Sequence, residues 1–201
     1  MDLYQLIDAS QEPILKTHDW IQEAMKKGAG LPHALNLATV TPAGQPSSRM
    51  VLLKRLSDEG LVFFTDYEGK KGQEINNNNK AAMNFWWAKT DKQIRVEGTC
   101  TKVSIEESND YFNSRPRGSK ISASASRQSE VLDSYESLLQ KAKKIGVDNE
   151  GKDIVRPSRW GGFILKPHLF EFWINQESRL HTRELFVLNE EKEWKTSLLS
   201  P

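Results

Sequence analysis

Three groups of residues in this chain carry hydrogen-bond donors in patterns that point to a bound anion. The first is Arg49-Met50-Val51-Leu52-Leu53-Lys54 with Arg55 behind it, where cationic side chains bracket four apolar residues. Turn residues on both sides, Pro42-Ala43-Gly44-Gln45 and Ser57-Asp58-Glu59-Gly60, make this stretch a strand. The second group is a helix junction. Ser104-Ile105-Glu106-Glu107 matches a capping box, so a helix should run from Ile105 to about Asn113. Arg115 precedes Pro116 and is biased away from the helical region, whereas Pro116 suits the first position of a new helix. Tyr111 then lies near the end of one helix, Arg115 at the junction and Ser119 in the first turn of the next. Open N–H groups at a helix N-terminus, joined by Arg, Ser and Tyr donors, would cradle a phosphate; the alternative is an ordinary capped corner. The third group is Arg179-Leu180-His181-Thr182-Arg183, where strand alternation puts Arg179, His181 and Arg183 on one face. Such a face usually meets solvent, but inside an aromatic-rich barrel it would meet an anion or a polarised ring.

The elements that must position these groups follow from periodicity. Ile14, Leu15, His18, Ile21, Ala24 and Met25 predict an amphipathic helix from about Pro13 to Lys27, with Gly28 after it. Strands are predicted over 34–41, Pro46–Leu56, Leu61–Thr65, Ala81–Trp87 and Gln93–Val103, the first two forming a hairpin. Lys70 and Lys71 open a short polar helix or turn ending near Ile75. They sit against the preference of the helix dipole, so they are solvated or paired with something negative. Trp86 and Trp87 read as core or subunit contact rather than a platform for bases. Val131 to Ile145 is a further helix ending at Gly146. Strands return over Trp160–Lys166, Leu169–Ile174, Arg179–Leu188 and Glu193–Leu198. Strands on both sides of a helical insertion (104–146), without a strand–helix repeat, predict a mainly β fold with α: an antiparallel barrel with helices packed outside, in one domain over 1–201 whose first 30 residues form a helical segment.

Composition excludes several classes. Lys plus Arg (28) almost cancel Asp plus Glu (27), so no global field gathers nucleic acid or an anionic membrane. Cys100 stands alone, which excludes an internal disulfide and suits a reducing cytoplasm. No run approaches the ~20 apolar residues of a membrane helix. His18, His33, His168 and His181 lack metal-ligand spacing, and no Ser-His-Asp order accompanies a nucleophile elbow. Gly146 to Asp153 nearly spells a phosphate-binding loop, but acidic residues inside it and an Asp at its last position argue for a surface connection. Chemistry on such a chain would be carried by a cofactor.

Arg49 to Lys54, Ser114-Arg115-Pro116-Arg117-Gly118-Ser119, Gln128-Ser129, Trp160-Gly161-Gly162-Phe163 and Arg179-Leu180-His181-x-Arg183 resemble, in order and rough spacing, the pyridoxine/pyridoxamine 5'-phosphate oxidases, flavin enzymes of the FMN-binding split-barrel class. The resemblance spans roughly residues 35–201. It implies an FMN-dependent homodimer that oxidises the 4' carbon of a vitamin B6 phosphate, with dioxygen as acceptor and hydrogen peroxide as product. By resemblance, Arg49, Met50, Val51, Leu52, Leu53, Lys54, Phe64, Thr65, Lys70, Lys71, Gln93, Gln128, Ser129, Trp173 and Arg183 line the FMN. Lys54, Tyr111, Arg115 and Ser119 would take the substrate phosphate. Arg179 and His181 would meet the pyridine ring as catalytic residues. No metal, nucleic acid or membrane is implied.

The chain departs from the family pattern in places. Thr182 stands where an Asp is common, the stretch around Ser124 lacks an expected Trp, and the N-terminus is shorter than in many relatives, which implies a reduced lid. Arg49 and Lys54 would face opposite sides of an ideal strand, so a bulge or backbone contacts must reconcile them. Two rival readings are a split-barrel flavin oxidase acting on another aromatic substrate, such as a phenazine precursor, and a non-enzymatic module that holds FMN or pyridoxal phosphate.

Overall fold

The computed structural model describes residues 4–201. The helical segment predicted over 1–30 therefore has its first three positions outside the described residues. Along the chain lie β1 (Gln5–Leu6), α1 (Glu12–Lys26), β2 (Ala34–Val40), β3 (Pro46–Leu52), β4 (Arg55–Ser57), β5 (Gly60–Asp66), α2 (Lys70–Asn77), β6 (Lys80–Trp87) and β7 (Lys92–Lys102). There follow α3 (Ile105–Ser114), α4 (Arg117–Ala125), α5 (Tyr135–Asp148), β8 (Trp160–Ile174), a 3-10 turn (Glu177–Arg179), β9 (Thr182–Leu188) and β10 (Trp194–Leu198).

Alternation builds the sheet. In β2 and β6 every second side chain is buried, and the buried set faces a core dominated by Phe63, Phe85, Phe163, Phe170, Phe172 and Phe186. Helix α1 adds Ile14, Trp20, Ile21 and Ala24 to that core, with the Trp20 and Phe172 rings edge to face at 5.1 Å. The strands pair in the order β1-β4-β5-β8-β7-β6-β2-β3, with β9 on β8 and β10 on β9, and the sheet curls into a half-barrel that carries the helices. The predicted mainly β split barrel is thus observed. One pairing differs from the antiparallel expectation, because β1 runs parallel to β4 through Gln5 and Leu6.

Strand β8 is the seam. Its first residues, Trp160 to Leu165, pair with β5; its last, Leu169 to Ile174, pair with β9; β7 follows its other edge throughout. The sequence predicts two strands here because Pro167 has no N–H to donate. The structure instead keeps one 15-residue strand and absorbs Pro167-His168 in a bulge, where the register shifts between Glu97 and Gly98. A Cβ on Gly98 would stand 2.3 Å from the Lys166 carbonyl oxygen, which is backbone and cannot step aside. Gly98→Ala should therefore cost about 2 kcal/mol or more, read as a lower urea midpoint at unchanged slope; an unchanged midpoint would show that the bulge gives way freely.

Other boundaries moved for local reasons. The predicted strand Pro46–Leu56 breaks at Leu53-Lys54, where the Leu53 N–H donates to the His33 carbonyl and the Lys54 N–H to that of Val62. That break removes the parity conflict between Arg49 and Lys54. The predicted strand Arg179–Leu188 begins only at Thr182, since Ser178 (φ 55°) and Arg179 (φ 62°) are in the left-handed region. The helix predicted from Val131 to Ile145 starts at Tyr135, capped by the Ser134 hydroxyl, and runs past Gly146 to Asp148. Of the two tryptophans, Trp87 is a core residue as foreseen, buried and donating to the Pro32 carbonyl, while Trp86 is half exposed.

Candidate active site

The predicted residues gather in three clusters, two adjoining and one apart. The first is cationic and centres on α2. Lys71 lies in its first turn, beside backbone N–H groups that no side chain caps. Its ammonium is buried and donates to Thr65 Oγ1 (3.2 Å) and Gln128 Oε1 (2.5 Å), both neutral oxygens. Burial and then the Arg49 charge push the Lys71 pKa down, while Asp66 and Glu74 pull the other way. Lys70, which the sequence left as solvated or paired, is paired with Glu74 at 2.5 Å. Arg49 donates to Thr39, to Ser47 and, at 3.0 Å, to Glu74. Ser129 follows Gln128 with φ 73°, exposed to solvent. A buried ammonium whose hydrogen bonds go only to neutral oxygens, at an open helix N-terminus, fits a phosphate group.

The second cluster begins one residue away, at Phe64. Its ring stacks on Tyr111 (4.0 Å between centroids) and on Trp160 (5.5 Å), and Arg115 lies over Trp160 at 4.5 Å. The stack depends on Gly162, where a Cβ would come within 2.8 Å of the Phe64 ring. Ser104 caps α3 as expected, and Arg115 ends it in an extended conformation that turns the chain into α4, with Ser119 in the first turn. Lys54 approaches the same corner, 5.9 Å over the Tyr111 ring. Burial and then the Arg115 charge push the Lys54 pKa down; burial likewise lowers Arg115, against the pull of Tyr111, and raises Tyr111, against the pull of Arg115. No carboxylate pairs with Lys54 or Arg115 among the described residues, and Arg115 Nη1 is buried without any partner there. An unsatisfied buried guanidinium nitrogen beside an unpaired ammonium is costly unless an anion arrives.

The third cluster lies on the outer face at the far end of β8. Trp86, Gln93, Trp173 and Arg183 stand opposite one another across β6, β7, β8 and β9, so their side chains share that face. His181 leans on Trp173 (4.5 Å) and accepts from the Gln176 N–H through Nδ1. Arg183 donates through Nε to Glu171 (2.8 Å) and through Nη1 to the Ser200 carbonyl, and the bond to Glu171 raises its pKa. Arg179 is exposed on the strained turn, so the one-face alternation predicted for Arg179, His181 and Arg183 does not hold; only Arg183 is in the strand. Between Gly162 in the second cluster and Trp173 in the third runs a length of β8 on the order of 30 Å. One protomer does not bring them together.

Comparison with known proteins shows the family. Residues 21–147 match the family described as pyridoxamine 5'-phosphate oxidase, and residues 160–201 match the pyridoxine 5'-phosphate oxidase C-terminal dimerisation region. The chain belongs to the pyridoxamine 5'-phosphate oxidase family. It is 42% identical over 195 residues to a pyridoxine/pyridoxamine 5'-phosphate oxidase of Nostoc sp., covering 97% of this chain and 91% of that one. A namesake from Rubrobacter xylanophilus is 43% identical over 193 residues, covering 96% and 88%. Among solved structures, PhzG from Burkholderia lata in complex with tetrahydrophenazine-1-carboxylic acid superposes with a TM-score of 0.90 at 31% identity, covering 96% of this chain and 95% of that one. An FMN-binding protein related to pyridoxamine 5'-phosphate oxidase, from Nostoc punctiforme, shares the fold with a TM-score of 0.74 at 17% identity.

Against the family pattern, the run Arg49 to Lys54 divides its side chains. Met50 and Leu52 point outward and are substantially exposed, Val51 packs on the core, and Leu53 is fully buried. Thr182 is exposed at the start of β9, and Ser124 turns its hydroxyl to the Lys120 carbonyl. Sequence reasoning missed Glu74 and Glu171, the buried carboxylates that hold Arg49 and Arg183. Each left a signal: Glu74 lies four residues after Lys70, and Glu171 is a lone charge in Leu169-Phe170-Glu171-Phe172-Trp173. No cluster of His, Cys, Asp and Glu able to hold a metal occurs among the described residues, and no helix there is long and apolar enough to cross a membrane.

Proposed function

We propose that this chain is an FMN-dependent oxidase that converts pyridoxamine 5'-phosphate and pyridoxine 5'-phosphate to pyridoxal 5'-phosphate, with dioxygen as electron acceptor and hydrogen peroxide as product, the amine substrate also taking up water and releasing ammonia. The observation that carries the reading is Arg115, its buried Nη1 lacking a partner, beside Lys54 at a corner walled by aromatic rings. Such a corner suits an aromatic phosphate monoester. Lys54, Tyr111, Arg115 and Ser119 hold the substrate phosphate. Arg49, Lys70, Lys71, Thr65, Gln128 and Ser129 hold the phosphate end of FMN, and the strand from Arg49 to Lys54, with Phe64, runs along its ring. When bound, FMN supplies the two-electron acceptor for oxidation of the substrate's 4' carbon.

The third cluster supplies the rest from a second copy. Gln93, Trp173 and Arg183 meet the flavin, and Arg179 and His181 meet the pyridine ring, of the opposite protomer. A homodimer follows because one chain keeps these groups at the wrong end of β8 for its own cradle. Isologous pairing gives two equal clefts. The whole chain acts as one flavin-binding unit, and a cytoplasmic setting agrees with a lone, buried Cys100.

The similarity to PhzG favours a second reading, oxidation of a phenazine precursor. Such a substrate carries no phosphate and would leave Lys54 and Arg115 uncompensated. The two readings separate in one assay. Purified protein should release FMN on denaturation, and in air it should form hydrogen peroxide with pyridoxamine 5'-phosphate; peroxide formed only with unphosphorylated aromatics would move the assignment to the second reading.

A further inference from the structure

The side chain of Glu74 is buried in the middle of the cluster that the FMN reading gives to the flavin phosphate, and that reading assigns it no task. One oxygen accepts from Lys70 and the other from Thr39 and Arg49, while the Ser47 hydroxyl reaches both at 2.9 and 3.0 Å. We propose that Glu74 is a built-in counter-ion of this subsite: it holds Arg49 and Lys70 in place while the flavin is absent, and it opposes the phosphate charge when the flavin binds. It thereby sets how tightly FMN is retained. The inference rests on the FMN reading of the same site.

Charge and solvation support it. Arg49 from β3 and Lys70 and Lys71 from the first turn of α2 bring positive charge to one place, and Asp66, the other acid near Lys71, is already paired with Arg159. Without Glu74, Arg49 and Lys70 would lose their only carboxylate partner among the described residues. Burial by itself would raise the Glu74 pKa, yet donation from Lys70, Thr39, Ser47 and Arg49 holds it down at about 2. The carboxylate thus stays ionised at any pH at which the protein works. An incoming phosphate dianion meets a fixed negative charge among its own ligands, and the Coulomb cost is felt at short range in a partly dry site.

The test uses Glu74→Gln, which keeps an oxygen for Arg49 and Ser47 but removes the charge, with Glu74→Asp as the charge-retaining control. Flavin-free protein is titrated with FMN and with riboflavin, which has the same ring and no phosphate, and both dissociation constants are read from flavin fluorescence. The Gln variant should bind FMN about tenfold more tightly with riboflavin affinity unchanged, while the Asp variant should not tighten. The ratio of the two affinities is read within each variant, so loss of structure, which weakens both flavins, leaves it unchanged and counts against the proposal. Weaker FMN binding by the Gln variant, or an equal change for both flavins, would overturn it. Failure of the unmodified protein to bind either flavin would instead refute the FMN reading.

Discussion

An Arg115→Ala variant is expected to keep its FMN and its thermal stability and to lose roughly a thousandfold in kcat/KM with pyridoxamine 5'-phosphate. The stability half of this expectation comes from the orphaned Nη1: the flavin-free fold already bears the cost of a buried guanidinium nitrogen with nothing to bind, so removing it relieves a penalty. The kinetic half comes from the charge-assisted bonds that the guanidinium would make to a phosphate in a site partly shielded from water, worth about 4 kcal/mol with Lys54 left alone. Unphosphorylated pyridoxamine provides the control. It makes no use of the cradle, so wild type and variant should turn it over equally slowly. Steady-state kinetics with the two substrates distinguish a phosphate cradle from a structural corner, because a structural corner would lose both activities together.

Mixing two inactive variants should restore activity. Arg115→Ala damages the cradle beside the first residues of β8, and His181→Ala damages the group packed on Trp173 at its far end. If each cleft takes its cradle from one protomer and its His181 from the partner, a mixed dimer holds one cleft with both lesions and one with neither. Random reassortment of equal amounts then returns about a quarter of wild-type activity. Were both groups to serve the same protomer, every cleft in the mixture would carry a lesion and activity would stay near zero. Refolding the variants together and assaying pyridoxal 5'-phosphate formation gives the answer.

What the sequence revealed of this site, and what it hid, follows from range. The Ser104 N-cap and the Arg115-Pro116 break are local signals, and both appear in the structure where short-range sterics place them, although the Glu107 carboxylate turns to Arg55 instead of closing the box. The strand from Arg49 was visible in its pattern, but its end at Leu53 was not, since that end is made by the His33 and Val62 carbonyls from elsewhere in the chain. The same holds for β8: Pro167 reads as a stop, and only the facing Gly98 shows that a bulge accommodates it. Alternation misplaced Arg179 because two consecutive residues there adopt the left-handed region, a conformation that non-glycine residues seldom signal in advance. Glu74 and Glu171 left only faint local signals, and neither names the Arg49 and Arg183 partners that the fold brings to them from elsewhere in the chain.

The proposed oxidation of a vitamin B6 phosphate by a bound flavin is tested most directly by the visible spectrum of the purified protein under anaerobic conditions. Pyridoxamine 5'-phosphate is added, and air is then readmitted. The expected result is an oxidised flavin band that bleaches on addition of substrate and returns with oxygen, leaving pyridoxal 5'-phosphate. A flavin band that stays unchanged with this substrate would contradict it.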